Sequence, residues 1–486
     1  MRSKFILCAA LLLTAGSALS AGESEESDIE WLKRAVADQQ RQIDQLKREL
    51  ADQRQGSQNV VALPAVATPA VGITERVERA ENAIGGLGGF RFSGDFLYLF
   101  DLQARSGNAL AVPLQNARSR YRVRLNVDKN LSRQMQFHLQ LSTGPLNNQI
   151  TTTQDFTGLG LKGLFSIAEA WVAWQPDKHF AFRVGRMEEA FHDNSRFLLD
   201  DNLRLDGFEE SARVSLGGGR LFNNLEFRAG EYILTNPNIT ILSAGSPLVA
   251  AGYKPGTRVG AANLFHPGVI LRGALNDNWS HRATLGMQIY RNANQIQLSS
   301  VTAVPGESDA AGVLLSSPFG GSGNATTTPG GARYTAAGFQ VAHLGYRLDA
   351  NSLLRLRHKA VPAFFDVQVS RNVATHKLRD AVMATASLGA IRKFGDIRGL
   401  YQFSIKDANS MISQFTDDDL GTATGVNLAV HGMRLDLGLS RFLTWSNILW
   451  IQDEKSPSNP LERFYVPVPR GANTTFRYFG QFAFVF

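Results

Sequence analysis

Hydrophobic and polar side chains alternate in short runs from residue 89 to the C-terminus. Alternation with a period of two places successive side chains on opposite faces, which is typical of β-strands with one apolar face. The pattern therefore predicts sixteen strands in an all-β region. They cover residues 89–105, 117–128, 133–144, 163–175, 179–186, 208–216, 223–234, 267–276, 281–293, 333–348, 352–360, 381–393, 397–406, 427–439, 443–453 and 473–486.

The connections between these segments alternate in length. Seven are short: DKNLS, QPDK, GGGRLF, NDNWS, LDAN, FGD and SRF. The long ones lie near residues 106–116, 145–162, 187–207, 235–266, 294–332, 361–380, 407–426 and 454–472. An even number of strands with short periplasmic turns and long external loops is typical of outer-membrane barrels. The sequence therefore predicts an all-β membrane protein, a 16-stranded antiparallel outer-membrane β-barrel over residues 89–486.

Aromatic residues concentrate on one face of the first and last predicted strands. In the first strand, this face carries Phe90, Phe92, Phe96, Tyr98 and Phe100. In the last strand, it carries Phe476, Tyr478, Phe482, Phe484 and the terminal Phe486. An aromatic outer face suits a surface in contact with lipid. A terminal Phe with aromatics at alternate positions resembles the assembly signal of bacterial outer-membrane barrels, which assigns that role to Phe486.

The first 88 residues predict three segments that do not belong to the barrel. Residues 1–21 join a short basic stretch, an apolar stretch and a small-residue cleavage site, which together indicate a secretory signal peptide. The only cysteine, Cys8, lies inside it, so the mature chain has no disulfide or thiol chemistry. No apolar run after it reaches eighteen residues, the length of a membrane-spanning helix.

Residues 22–56 predict an α-helical coiled coil in the periplasm. Apolar positions recur every three and four residues, as in a heptad seam. The residues of this seam are Ile29, Leu32, Val36, Gln39, Ile43, Leu46 and Leu50. The residue types alone favour two strands, although Gln39 weakens that preference. Residues 57–88 predict a proline-containing linker followed by a short helix.

A column of arginines marks the second predicted strand. In RSRYRVRLNVDKN, residues 118–130, four arginines recur at every second position with apolar residues between them. An arginine on the lipid face costs about 2–4 kcal/mol at the bilayer midplane, so we expect the column to face the interior. A barrel of sixteen strands is wide enough to enclose an aqueous channel. The predicted pore-lining residues of this column are Arg118, Arg120, Arg122 and Arg124.

Charge and motif content narrow the function. Residues 89–486 hold 40 basic and 31 acidic residues, and in a membrane protein this excess favours an anion-attracting lumen over nucleic-acid binding. The GGSGN segment at 320–324 does not match the G-x-S-x-G form of a hydrolase, and no H-E-x-x-H pair is present. The sequence therefore predicts no enzyme, no catalytic residues, no cofactor and no metal.

Together, the signal peptide, coiled coil, sixteen strand signals and terminal Phe resemble a Gram-negative trimeric porin. The N-terminal coiled coil makes the chain similar to porins of the DcaP-like kind. The resemblance implies a homotrimer of water-filled channels for passive diffusion of small hydrophilic solutes. Anionic or zwitterionic solutes, carboxylates and dicarboxylates above all, are the implied cargo. The other implied partners are outer-membrane lipid, lipopolysaccharide and the barrel assembly machinery. A structural anchor that contacts the cell wall through the coiled coil is an alternative, and a barrel enzyme is a weaker one.

The same resemblance implies that the third external loop folds inward at a constriction. Counted along this chain, that loop is residues 187–208. Its acidic residues are Glu188, Glu189, Asp193, Asp200, Asp201 and Asp206. Porins commonly oppose such a loop with a basic wall. The predicted wall is the arginine column joined by Arg183, Arg355 and Arg357.

Overall fold

The structure is a computed structural model, and it describes residues 89–105, 114–145, 149–156, 163, 165–192, 197–217, 221–235, 261–296, 324, 334–356, 359–416, 425–455 and 474–486. The predicted signal peptide, coiled coil with its seam residues, and linker lie outside the described residues. Within the described ranges, no helix is both long enough and apolar enough to cross a membrane.

The described strands form one closed antiparallel sheet. Each long strand pairs with its neighbours in sequence, and the first pairs with the last, from Asp95 opposite Val485 to Arg105 opposite Thr475. The strands are β1 Phe90–Arg105, β2 Leu114–Asn130, β3 Met135–Thr143, β4 Gln154–Asp155, β5 Phe165–Trp174, β6 Phe180–Met187, β7 Leu205–Ser215, β8 Asn224–Ile233, β9 Asn263–Ala274, β10 Trp279–Arg291, β11 Phe339–Leu356, β12 Lys359–Asn372, β13 Asp380–Gly389, β14 Ile397–Lys406, β15 Leu428–Gly438, β16 Leu443–Glu454 and β17 Thr475–Val485. The predicted fold class, a 16-stranded antiparallel barrel, is confirmed.

The seventeenth strand, β4, is not part of the wall. It has two residues, Gln154 and Asp155, and pairs only with Tyr121 and Arg120 of β2. β2 extends beyond the end of its neighbour β3, because β3 pairs only with residues 124–130 of β2. The connection from β3 to β5 therefore folds back and covers the part of β2 that β3 leaves open.

The two faces of the wall differ as the alternation predicted. On β1, Phe92, Phe96 and Phe100 are exposed on the outer face, whereas Leu97 and Leu99 are buried on the inner face. On β17, Phe476, Phe482 and Phe484 are likewise exposed on the outside. A large exposed apolar belt is expensive in water but suits a surface in contact with lipid.

The two ends of the barrel are distinguished by their connections. We call the end that carries residues 131–134 between β2 and β3 the turn end, and the end at which β6 ends and β7 begins the loop end. One predicted hairpin was wrong. LDAN, residues 348–351, lies inside β11 and not in a turn, because β11 continues through a bulge between Ala350 and Leu354. Residues 361–372, predicted to be a loop, belong to β12.

Part of the barrel interior near the loop end is filled by an apolar cluster. Segments between the strands enter the lumen and pack against inner-face residues of the wall. The cluster includes Ile150, Phe197, Leu198, Leu199, Leu203, Met411, Ile412 and Phe415 from these segments, and Leu99, Trp450 and Phe479 from the wall. The interior is therefore not an open cylinder at this end.

Candidate functional site

The arginine column of β2 lies on the inner face, and carboxylates of β1 lie beside it. The antiparallel register places Asp95 opposite Arg124 and Asp101 opposite Arg118. Asp95 receives two arginines at once, since its Oδ1 lies 2.8 Å from Nη2 of Arg122 and its Oδ2 lies 2.5 Å from Nε of Arg124. The column is therefore a series of ion pairs and not a set of bare cations.

The part of the column near the loop end is similarly paired. Asp101 is buried, and its Oδ2 lies 2.7 Å from Nη2 of Arg118 and 3.1 Å from Nη2 of Arg477 on β17. Nε of Arg120 lies 2.9 Å from Oδ1 of Asp155 in β4. Among the described residues, four column arginines and Arg477 contact three aspartates, a set with a formal excess of two positive charges.

Residues 188–192 and 197–204, which we call the inward loop, lie between β6 and β7. Nη2 of Arg204 lies 2.9 Å from Oε1 of Glu188, and Nε of the same arginine lies 2.6 Å from Oε1 of Glu169 on β5. Burial by itself raises the pKa of Glu188. The hydrogen bond from His192 and the positive charge of Arg204 outweigh burial and lower the pKa to about 2. The base of the inward loop is therefore closed by an ionised bridge.

Glu189 joins the inward loop to two other strands. Its Oε1 contacts Nδ1 of His266 on β9. Nε2 of His266 lies 2.7 Å from Nε2 of His343 on β11, and the Phe191 ring packs against both imidazoles. All four side chains are buried. The start of the loop is thus seated on the inner faces of β9 and β11.

The middle of the inward loop reaches the opposite wall. Nζ of Lys406, at the end of β14, donates to the carbonyl oxygen of Phe197 at 2.7 Å. The backbone N–H of Asp200 donates to the carbonyl oxygen of Phe415 at 2.8 Å. β14 stands eight places from β6 among the sixteen wall strands, which is half of the circumference. The inward loop therefore spans the lumen.

The predicted acidic residues of this loop have different environments. Asp201 is exposed, and its negative charge acts on Arg122 of the column. Asp200 is buried, and its Oδ1 accepts a hydrogen bond from the N–H of Asn202 at 2.6 Å. Asp193 lies outside the described residues. Asp206 is not in the loop, because it belongs to β7 and pairs on the outer face with Arg186.

The remaining predicted cations do not join the column. Arg183 lies on β6, where its Nη2 is 2.5 Å from Oε2 of Glu209 and its guanidinium lies over the Trp171 ring. Arg355 is exposed at the turn end of β11, the strand diametrically opposite β2 in the sheet order. Arg357 lies outside the described residues. The structure therefore brings together the four column arginines, but not the whole predicted wall.

A second inward segment was not predicted from the sequence. Residues 407–416, between β14 and β15, are buried throughout. The side-chain amide of Asn324 fixes this segment by donating to the carbonyl oxygens of Ala408 and Met411 and accepting from the N–H of Ser413. The segment reads DANSMISQFT, a polar stretch typical of an exposed loop, so only its Met-Ile pair and Phe415 indicated burial.

Comparison with known proteins gives one family match. Residues 102–239 match the family model described as "Putative porin". No curated protein matches the chain. This match lies within the part of the chain that runs from β1 past the end of β8.

Solved structures with a similar chain path are porins of low sequence identity. One is OprB of Pseudomonas putida at high pH, with 12% identity, a TM-score of 0.46, and coverage of 84% of this chain and 97% of that chain. Another is OmpF of Salmonella typhi in complex with daunomycin, with 8% identity, a TM-score of 0.42, and coverage of 82% and 98%. A third is a mutant of Rh. blastica porin, with 11% identity, a TM-score of 0.38, and coverage of 82% and 100%. The family match confirms the resemblance of this chain to outer-membrane porins.

Proposed function

We propose that the protein is an outer-membrane porin, a water-filled channel for passive diffusion of small hydrophilic solutes. The supporting observation is the contrast between the two faces of one closed wall. The outer face exposes a belt of apolar side chains, whereas the inner face carries ion pairs such as Arg122 with Asp95. A wall of this kind is stable between lipid outside and water inside. The porin match over residues 102–239 points the same way.

The channel prefers small anions, in particular carboxylates and dicarboxylates. The four column arginines and Arg477 exceed their described aspartate partners by two, and the negative charge of Asp201 in the inward loop acts on Arg122. Arginine also binds a carboxylate through two parallel hydrogen bonds, which favours solutes with carboxylate groups. We propose that solutes pass between Asp201 and the arginine column.

The reversal potential under a KCl gradient tests this preference. We expect an anion-selective sign in planar bilayers, which weakens as total salt rises because salt screens the charges. Replacing Arg122 and Arg124 by Ala removes two positive charges from the passage and moves the potential towards cation selectivity. Arg441→Ala, which removes a charge in the β15–β16 turn, is the matched control and leaves the potential unchanged. A cation-selective wild-type channel would refute the anion preference.

We propose further that the channel is a homotrimer in the bacterial outer membrane, with the segment 22–56 in the periplasm. Lipid and lipopolysaccharide surround the exposed apolar belt, and the barrel assembly machinery inserts the chain. The heptad seam from Ile29 to Leu50 would help to hold three chains together. Mass measurement in mild detergent distinguishes this trimer from the dimer that the seam residues favour on their own.

A further inference from the structure

A second cluster of arginines lies on the inner face of β7, β8 and β9, away from the column of β2. Three guanidinium groups converge on the carboxylate of Glu226, which is 1% exposed. Nε of Arg213 donates to Oε1 at 3.2 Å, Nε of Arg228 donates to the same oxygen at 3.0 Å, and Nη1 of Arg272 contacts Oε2. Counted over these four described side chains, three positive charges around one negative charge leave a formal excess of two.

The cluster is located directly on the turn side of the inward loop. Nη1 of Arg228 donates to the carbonyl oxygen of Ala190 at 2.7 Å, and Ile270 packs against Ala190 and Phe191. Arg213 and Arg272 are close to the ends of their strands, beside the turns. A solute that has passed the inward loop from the loop end therefore reaches this cluster next.

The arginines of the cluster differ in how much of each is open to the lumen. The side chain of Arg228 is 13% exposed, whereas those of Arg213 and Arg272 are 47% and 35% exposed. Within the described part of the chain, Arg213 makes no side-chain hydrogen bond other than the one through Nε. Both terminal nitrogens of Arg213 therefore remain available as donors to a solute.

We propose that Arg213, Arg228, Arg272 and Glu226 form a binding site for small dianions, such as hydrogen phosphate or a short dicarboxylate, on the turn side of the inward loop. Glu226 holds the three guanidinium groups together. Arg213 and Arg272 contact the two oxygens of this one carboxylate, so their guanidinium groups lie close enough for one small anion to contact both. Two excess positive charges match two negative charges on the ligand. The site deepens the proposed anion preference and rests on it, since it makes an anion pause after the narrow passage.

The experiment is a titration of the KCl current through the channel with inorganic phosphate, and in a second arm with succinate. A bound dianion occupies the pathway of chloride, so we expect a saturable decrease in current. Arg213→Gln removes the most exposed arginine and with it a charge-assisted hydrogen bond to the ligand, so the half-blocking concentration should rise about tenfold. If only phosphate or only succinate blocks the current, the site binds that class of anion and the proposal is still supported.

Two further variants make the result specific. Arg398→Gln removes an arginine of 36% exposure from β14, on another part of the wall at the same end, and should leave the half-blocking concentration within about twofold, because screening weakens distant charges. Glu226→Gln keeps all three arginines and removes the competing carboxylate, so it should strengthen the block. Absence of saturable block in the wild type, or an equal loss in Arg213→Gln and Arg398→Gln, overturns the site.

Two measurements on the same planar bilayers distinguish failure of this site from failure of the proposed function. The reversal potential in KCl alone reports whether the channel prefers anions, and the saturable block reports whether the cluster binds a dianion. A cation-selective potential with a block that is sensitive to Arg213→Gln refutes the general preference and retains the site. An anion-selective potential with no block retains the preference and refutes the site.

Discussion

Asp95 controls how much charge the arginine column presents to a solute. It is the shared partner of Arg122 and Arg124. Asp95→Asn removes the negative charge and leaves both guanidinium groups in place, so the excess of positive charge on this side of the lumen rises by one. We expect a more anion-selective reversal potential in KCl. Asp380→Asn, which removes an outer-face partner of Arg371, is the control. An unchanged potential in Asp95→Asn would show that the passage lies elsewhere.

Lys406 is a buried cation whose role is to position the inward loop. It is 2% exposed, and besides donating to the carbonyl oxygen of Phe197 it lies 5.4 Å from the centre of the Phe197 ring. A hydrogen bond from a charged donor is worth about 1.5–3 kcal/mol, so Lys406→Met should loosen the loop on this wall. Single-channel recordings should then show more current noise. Lys393→Met, at an exposed turn, should behave as the wild type, and equal noise in both variants would show that the contact of Lys406 with Phe197 does not hold the loop.

The sequence predicted the arginine column but not its partners. A period of two is a local property, so the common face of Arg118, Arg120, Arg122 and Arg124 could be deduced from one strand. The pairing with Asp95 and Asp101 depends on the register across the β1–β2 hairpin. Arg477 reaches Asp101 only because the barrel closes. Contacts such as Lys406 with Phe197, 209 residues apart in sequence, leave no signal in either segment.

The closure of the barrel depends on a close fit between β1 and the terminal residue. Phe486 pairs with Gly94, since each N–H donates to the carbonyl oxygen of the other residue, at 3.0 and 3.1 Å. A Cβ atom added to Gly94 would lie 2.7 Å from the Phe486 ring and 2.3 Å from the carbonyl oxygen of Arg124. The terminal Phe is thus part of the contact between the first and last strands that closes the barrel, as well as the predicted assembly signal.

Gly94→Ala should therefore impair closure of the barrel. The added methyl group meets backbone on one side, which cannot move as a flexible side chain does. We expect less folded protein in the outer membrane and earlier unfolding on heating, measured by the temperature at which the barrel loses its compact migration on a gel. Gly399→Ala is the control, since a Cβ atom there meets nothing within 4 Å. Equal stability of the two variants would contradict the fit.

Most of the wall strands could be predicted because each has one apolar face, but the hairpin of β11 and β12 could not. Asp, Asn and Ser, the residue types at Asp349, Asn351 and Ser352, are common in turns. In the structure, this stretch instead bonds to the preceding turn, where Asn351 N–H donates to the carbonyl oxygen of Asn278 and Ser352 N–H donates to its side chain. These tertiary hydrogen bonds thus keep the segment in a strand, although its composition favours a turn.

The proposed contribution of residues 22–56 to the oligomeric state can be tested by removing them. Removing residues 22–56 should leave a folded channel with the same single-channel conductance, because each described barrel closes on itself. The proposed trimer should dissociate at a lower detergent concentration, since the heptad seam no longer contributes. Size-exclusion chromatography with light scattering gives the mass. A truncated chain that fails to fold would show that the segment acts in assembly and not only in association.

The contact between the inward loop and β14 across the lumen also has a mechanical consequence. Loop and wall meet at Phe197 and Lys406, so β14 is tied to the loop that arises from β6 and β7, half of the circumference away. A thin cylinder pressed from the side deforms into an ellipse, and a crossbar prevents this along its own direction only. The barrel should be stiff along the diameter from β6 to β14. Lateral pressure from the surrounding lipid would therefore change the shape of the pore mainly along diameters that lie oblique to this one.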